Sequence, residues 1–93
     1  MEGSGIIHKV GKNIVEFKAG NRVAFVGVSE VKGGSYAEYM VLSKDSLVVS
    51  IPDEMSFIEA AAIPVSSNTM IKVLKALELS PDDTLFISGA IRF

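Results

Sequence analysis

The chain has 93 residues, 48% of them hydrophobic and 22% charged, with no cysteine, which argues against a wholly disordered chain and excludes a disulfide-stapled one. Nine basic residues against eleven acidic ones give a net charge of −2, and the lysines are interspersed with acids and apolar residues, so no nucleic-acid-binding stripe forms. At 9.9 kDa and a mean hydropathy of +0.39, a compact fold would expose roughly 5,200 Å² against roughly 14,400 Å² when extended, and some apolar surface is left for a partner segment to cover.

Seven of the eight glycines fall within the first 34 residues, so the first half reads as strands joined by turns. Gly5 to Val10 and Arg22 to Val28 are the first two β-rich runs, separated by turn signals at Gly11-Lys-Asn and Lys18-Ala-Gly-Asn. Ser35 to Leu42 partly alternates and predicts a third strand. Ser46 to Ile51 predicts another, ended by Pro52, which has no amide to continue a ladder.

The second half reads as helical. Ser56 and Glu59 have capping-box spacing, predicting a helix of about two turns through Ala60, Ala61 and Ala62. Pro64 disfavours α geometry at Ile63, so that helix stops there. A second helix is expected from Ser66 or Ser67 toward Leu79, with Met70, Leu74 and Leu77 on one core-facing side and Lys72 and Lys75 in solvent. Ser80-Pro-Asp-Asp83 is a turn, and Thr84 to Ser88 reads as a buried strand leading to Gly89 and Ala90. The longest apolar runs, such as Ala60 to Val65, are far too short for a bilayer, and residues 1 to 20 form no secretory apolar core. No membrane partner is expected, and the absence of cysteine fits a cytoplasmic location.

The order of segments then becomes informative: Glu2-Gly-Ser-Gly-Ile-Ile, Val10-Gly, Phe17-Lys-Ala-Gly-Asn-Arg-Val23, Gly34-Ser-Tyr-Ala-Glu-Tyr39, Ile51-Pro, Glu59-Ala-Ala-Ala-Ile-Pro64 and Thr84-Leu-Phe-Ile-Ser-Gly-Ala90. From Glu2 through Ala90 this resembles the zinc-independent quinone oxidoreductases of the medium-chain dehydrogenase/reductase superfamily. The resemblance implies an α+β fragment. Residues 1–55 would be a partial chaperonin-10-like β-barrel domain and residues 56–83 an interdomain helical segment. Residues 84–93 would be the truncated start of a Rossmann domain, with its first strand. Family members carry Asp where this chain has Asn21, a change that keeps a short polar acceptor in the turn.

The resemblance also implies chemistry. The full-length parent would transfer hydride from NADPH to a small-molecule quinone or enone, and the isolated chain would be an incomplete catalytic unit. Thr69 matches a threonine that relatives place near the nicotinamide, where a hydroxyl orients the carboxamide. Gly89 and Ala90 match the approach to the pyrophosphate-binding turn. Glu2 matches a glutamate that lies near the metal of zinc-dependent relatives. With His8 the single histidine and no cysteine, no catalytic zinc is expected, since such a site needs three protein donors and an open position. Tyr36 and Tyr39 are expected to pack, His8 to serve a surface or packing role, and no catalytic residue is singled out. The alternative is a nonenzymatic folding or interaction remnant that pairs with another polypeptide, or with a second copy, through β edges and an apolar helix face.

Overall fold

The computed structural model describes residues 1–27 and 34–89. Among these, three strands form one antiparallel sheet in the order β1 (Glu2–Ile6), β2 (Arg22–Val26) and β3 (Leu47–Ser50). Gly3 lies opposite Phe25, and Phe25 opposite Val48. β2 is central because its Arg22-Val-Ala-Phe-Val run has apolar residues for both faces, and Val23, Ala24 and Phe25 are all buried. Entry into β2 is set by a turn in which Gly20 adopts φ +93° and Lys18 N–H donates to Asn21 Oδ1 at 2.9 Å. Asn21 therefore supplies the short polar acceptor expected of it.

Two helices follow, α1 (Phe57–Ala62) and α2 (Pro64–Leu77). At the start of α1 the Ser56 hydroxyl accepts from Glu59 N–H at 3.2 Å and the Glu59 carboxylate accepts from Ser56 N–H at 2.9 Å. The reciprocal capping box is formed. α1 packs on the sheet face carrying Ser4 and Ala24: the Ser4 hydroxyl donates to the Phe57 carbonyl, and Ala60 is fully buried. The opposite face, with Val23, Phe25 and Val48, looks into a cleft bounded by the loops 7–17 and 35–46.

Several sequence expectations change. Only Gly5 and Ile6 of the first run are in a strand, because Ile7 closes the pairing with Asn21 and Gly20 and the chain then turns away. Val28, the expected end of the second run, lies outside the described residues. Ser35 to Leu42 forms no strand, since no strand among the described residues offers it a ladder. Thr84 to Ser88 likewise forms none, and Phe86 and Ile87 face solvent instead of a core. Ile63 is not extended: it sits at φ −84°, ψ −48°, and Pro64 becomes the first residue of α2, a position where a missing amide costs nothing. α2 thus begins two or three residues before the predicted start at Ser66 or Ser67. Its face of Met70, Leu74 and Leu77 is exposed, so it is amphipathic without a covering core.

The radius of gyration is 16.1 Å, against about 12 Å for a compact chain of this length. The accessible surface is 8000 Å², well above the compact value of roughly 5,200 Å². The excess is carried by α2 beyond its first turn and by residues 78–89, exposed throughout from Asn68 to Gly89.

Candidate functional site

α2 carries the residue singled out for cofactor positioning, so the way α2 is held decides what that residue does. Its N-terminus has no local cap: Ile63 occupies the cap position with no side-chain hydrogen bond, and Pro64 has no N–H to offer. The first free amide, Val65 N–H, instead donates to Glu2 Oε2 at 2.7 Å, from a residue 63 positions away. A carboxylate is well suited there, since the end of a helix presents unpaired N–H groups and a partial positive charge. Glu2, first residue of β1, thereby ties the sheet edge to α2.

One turn later the Thr69 hydroxyl donates to the Val65 carbonyl at 3.0 Å. This uses the only proton of the hydroxyl and leaves its acceptor lone pairs on an exposed surface. Gly89 is exposed at φ +67°, and a side chain built there would meet nothing within 4 Å. Among the described residues no hydrogen bond joins Thr69 to Gly89. Ala90, the third predicted cofactor-binding residue, and Arg92 lie outside the described residues. Ser66 and Asn68 are exposed on the first turns of α2.

Where α1 meets α2, an apolar groove of about 220 Å³ runs between the helix junction and β2 and β3, lined by Ala24, Val49, Met55, Ala60, Ile63 and Pro64 among others. On the other side of the sheet the cleft is wider, about 1350 Å³. There His8 and Tyr39 meet edge to face, ring centres 5.6 Å apart and planes at 69°, the preferred arrangement for aromatic pairs. Tyr36, expected to pack, is fully exposed. The Ser56 backbone N–H, and then its hydroxyl, hold the Glu59 carboxyl below the usual carboxylate range. Among the described residues no three His, Cys, Asp or Glu side chains converge as metal donors. No helix among them is long and apolar enough to cross a membrane.

Residues 1–53, which span all three strands and end beside Pro52, match the family model of the alcohol dehydrogenase GroES-like domain. The chain belongs to this family, and with it to the medium-chain dehydrogenase/reductase superfamily. This GroES-like chain is 40% identical over 73 residues to the trans-enoyl reductase fsr4 of Gibberella fujikuroi, an alignment covering 78% of the chain and 21% of that protein. It is 34% identical over 90 residues to the highly reducing polyketide synthase claI of Penicillium crustosum, covering 96% of the chain and 4% of that protein. A quinone oxidoreductase of Pseudomonas aeruginosa is 33% identical over 90 residues, covering 96% of the chain and 26% of that protein. The GroES-like chain thus spans about a fifth of the length of the first of these curated relatives and about a quarter of the third. No solved structure matches it.

Two arrangements were not foreseen. Glu2 is a helix cap, and a signal for it was present: a helix opening Ile63-Pro64 has no Ser, Thr, Asp or Asn to cap it, so its first amide needs a distant acceptor. Arg22, on the helix-facing side of β2, clamps the Pro52 to Met55 turn by three hydrogen bonds to backbone carbonyls, a role that composition does not reveal.

Proposed function

We propose that this GroES-like chain is the substrate-side portion of an oxidoreductase that reduces quinones or enones with NADPH and without zinc. The observation that carries the reading is the breadth of the similarity: relatives named trans-enoyl reductase and quinone oxidoreductase align with 78% and 96% of the chain. In this reading hydride adds to a carbon made electrophilic by conjugation with a carbonyl, as in an enone or a quinone. In this reading residues 1–55 form the substrate-side domain, residues 56–83 connect it, and residues 84–93 open the cofactor domain.

The residues present fit the cofactor. Thr69 has committed its proton to Val65 and keeps lone pairs free to accept from a carboxamide N–H. The open backbone around Gly89 admits a bulky anionic group at close range. When bound, NADPH supplies the hydride. The chain's own part is positional: Thr69 fixes the orientation of the nicotinamide ring, and the α2 turn that carries it is fastened to the sheet through Glu2. Ala90, next in the sequence, is proposed for the same pyrophosphate-binding turn on the segment order alone.

A titration of the ¹⁵N-labelled chain with NADPH, followed amide by amide by NMR, tests the reading. Saturable shifts centred on Thr69 and Gly89 are expected. A spectrum that stays unchanged up to millimolar NADPH would remove the cofactor assignment from these residues.

A second reading is favoured by one observation, the exposure of Met70, Ile71, Val73, Leu74 and Leu77 along α2. In it the chain is a nonenzymatic interaction module whose α2 face docks on another polypeptide or on a second copy. A monodisperse monomer by light scattering, with no binding of an apolar dye, would count against it.

A further inference from the structure

We propose that Glu2 is a positioning residue for Thr69, acting through Val65; this rests on the assignment of Thr69 to the cofactor. Val65 is bonded through both of its backbone polar groups by residues from different parts of the chain. Its N–H donates to Glu2 Oε2 at 2.7 Å and its carbonyl accepts from Thr69 Oγ1 at 3.0 Å. Because Ile63 provides no side-chain cap and Pro64 no amide, Glu2 is the only side chain among the described residues that accepts from the first turn of α2. The remaining turns of α2 are exposed, so nothing beyond that turn holds the helix rotation. The Thr69 hydroxyl bonds within the helix to the carbonyl of the residue that Glu2 holds, so the orientation of this turn relative to the sheet is set through Glu2.

This role is separate from metal binding and from ligand binding. The carboxylate occupies the N-terminus of α2 itself, so that terminus is not an anion site. The contact also spans the boundary between sheet and helix, so a change at the β1 edge is passed to the face of α2 that carries Thr69. Ser4, two residues along β1, makes the other tie between β1 and the helices, by donating to the Phe57 carbonyl. That tie reaches α1 and not α2, which makes Ser4 the natural control.

The test compares the whole chain with its E2A, E2Q and S4A variants by NMR. It reads the Val65 amide proton, the three-bond couplings that report the Thr69 side-chain rotamer, and the NADPH dissociation constant. E2A is expected to move the Val65 amide upfield and average the Thr69 couplings. It should also weaken NADPH binding about tenfold. E2Q, which keeps an acceptor oxygen at the same reach, is expected to hold all three within about twofold of the parent chain. S4A is expected to lose stability while leaving the Thr69 couplings unchanged, so averaged couplings in E2A are not an effect of general destabilisation. If E2A shifts the Val65 amide but leaves the Thr69 couplings and NADPH affinity as they were, the proposal is overturned. It is equally overturned if E2Q fails to restore them. Should E2A not fold, E2D, one methylene too short for the contact, is read in its place. Should the parent chain not bind NADPH at all, the cofactor reading falls, and the Thr69 couplings alone decide whether Glu2 positions that residue.

Discussion

The guanidinium carbon of Arg22 lies 4.6 Å from the centre of the Phe57 ring, while its terminal nitrogens donate to the carbonyls of Pro52, Asp53 and Met55 at 2.6 to 3.0 Å. One side chain thus joins the central strand to the turn that leads into α1 and to the first residue of that helix. A planar fork with several fixed donors is needed for this, and a lysine ammonium does not reproduce it.

R22K is accordingly expected to destabilise the fold by about 1 kcal/mol and R22A by about 2 kcal/mol, the second losing the ring contact as well as the hydrogen bonds. Urea unfolding followed by circular dichroism measures both. Equal stability of the parent chain and R22A would show that the turn is held by other means.

The Glu59 carboxyl is lowered by its bonds from Ser56, backbone first and hydroxyl second. A carboxyl whose folded value is depressed contributes stability that is complete above its unfolded range and is lost as pH falls through the folded value. Acidification should therefore loosen the first turn of α1, with amide exchange at Glu59 and Ala60 rising below the ordinary carboxylate range. In S56A the Glu59 side-chain carbon is expected to titrate closer to an ordinary glutamate. Loss of the cap should lower stability by about 1 kcal/mol at neutral pH.

Gly3 and Gly5 differ in what a methyl group would meet. At Gly3 it would come within 2.8 Å of Phe25 Cζ, whereas at Gly5 nothing lies within 4 Å. Since the Phe25 ring is buried in the sheet, G3A is expected to cost about 1 to 3 kcal/mol through displacement of that ring. G5A, on the same strand and the same face, should be close to neutral. Thermal melts of the two variants side by side separate crowding from a general intolerance of β1 to alanine.

Replacing Thr69 with valine removes the hydroxyl while keeping the branched shape. Because the residue is exposed, T69V should fold as the parent does and bind NADPH about fivefold more weakly, the worth of one hydrogen bond. T69S should bind within about twofold of the parent. An unchanged dissociation constant in T69V would take Thr69 out of the cofactor site.

The features that could be read from the sequence were those whose cause is local. Ser56 and Glu59 satisfy each other's amides within one turn, so their spacing alone announces α1. Ser80 and Asp83 close their turn in the same way, with Ser80 N–H donating to Asp83 Oδ2 at 2.7 Å. Strands were legible only where a partner exists: Arg22 to Val26 has neighbours on both edges, while Ser35 to Leu42, with a better alternation, has none. Alternation describes which face a side chain takes and says nothing of whether a ladder is on offer. The same limit explains Thr84 to Ser88, which is apolar enough for a strand yet unpaired among the described residues. On α2, the spacing of Met70, Leu74 and Leu77 correctly gave a helix face but not what covers it. Of the candidate site, Thr69 was singled out by the segment order alone, and what the structure adds is its bond to the Val65 carbonyl one turn back. Its link to Glu2 was not, because a bond across 63 positions has no local signature.

At the junction of the two helices, Pro64 has no amide and Val65 gives its own to Glu2, so two successive rungs of a continuous helical ladder go missing between Ala62 and Ser66. The pair is a jointed rod and not a single stiff one. Its first section is bedded on the sheet by Ala60, while its second is fastened to the sheet edge by the bond from Val65 to Glu2. Bending of the pair is expected at Ile63 and Pro64, where the ladder is thinnest. Any motion of the second section sweeps Thr69 along an arc whose origin stays fixed in the sheet.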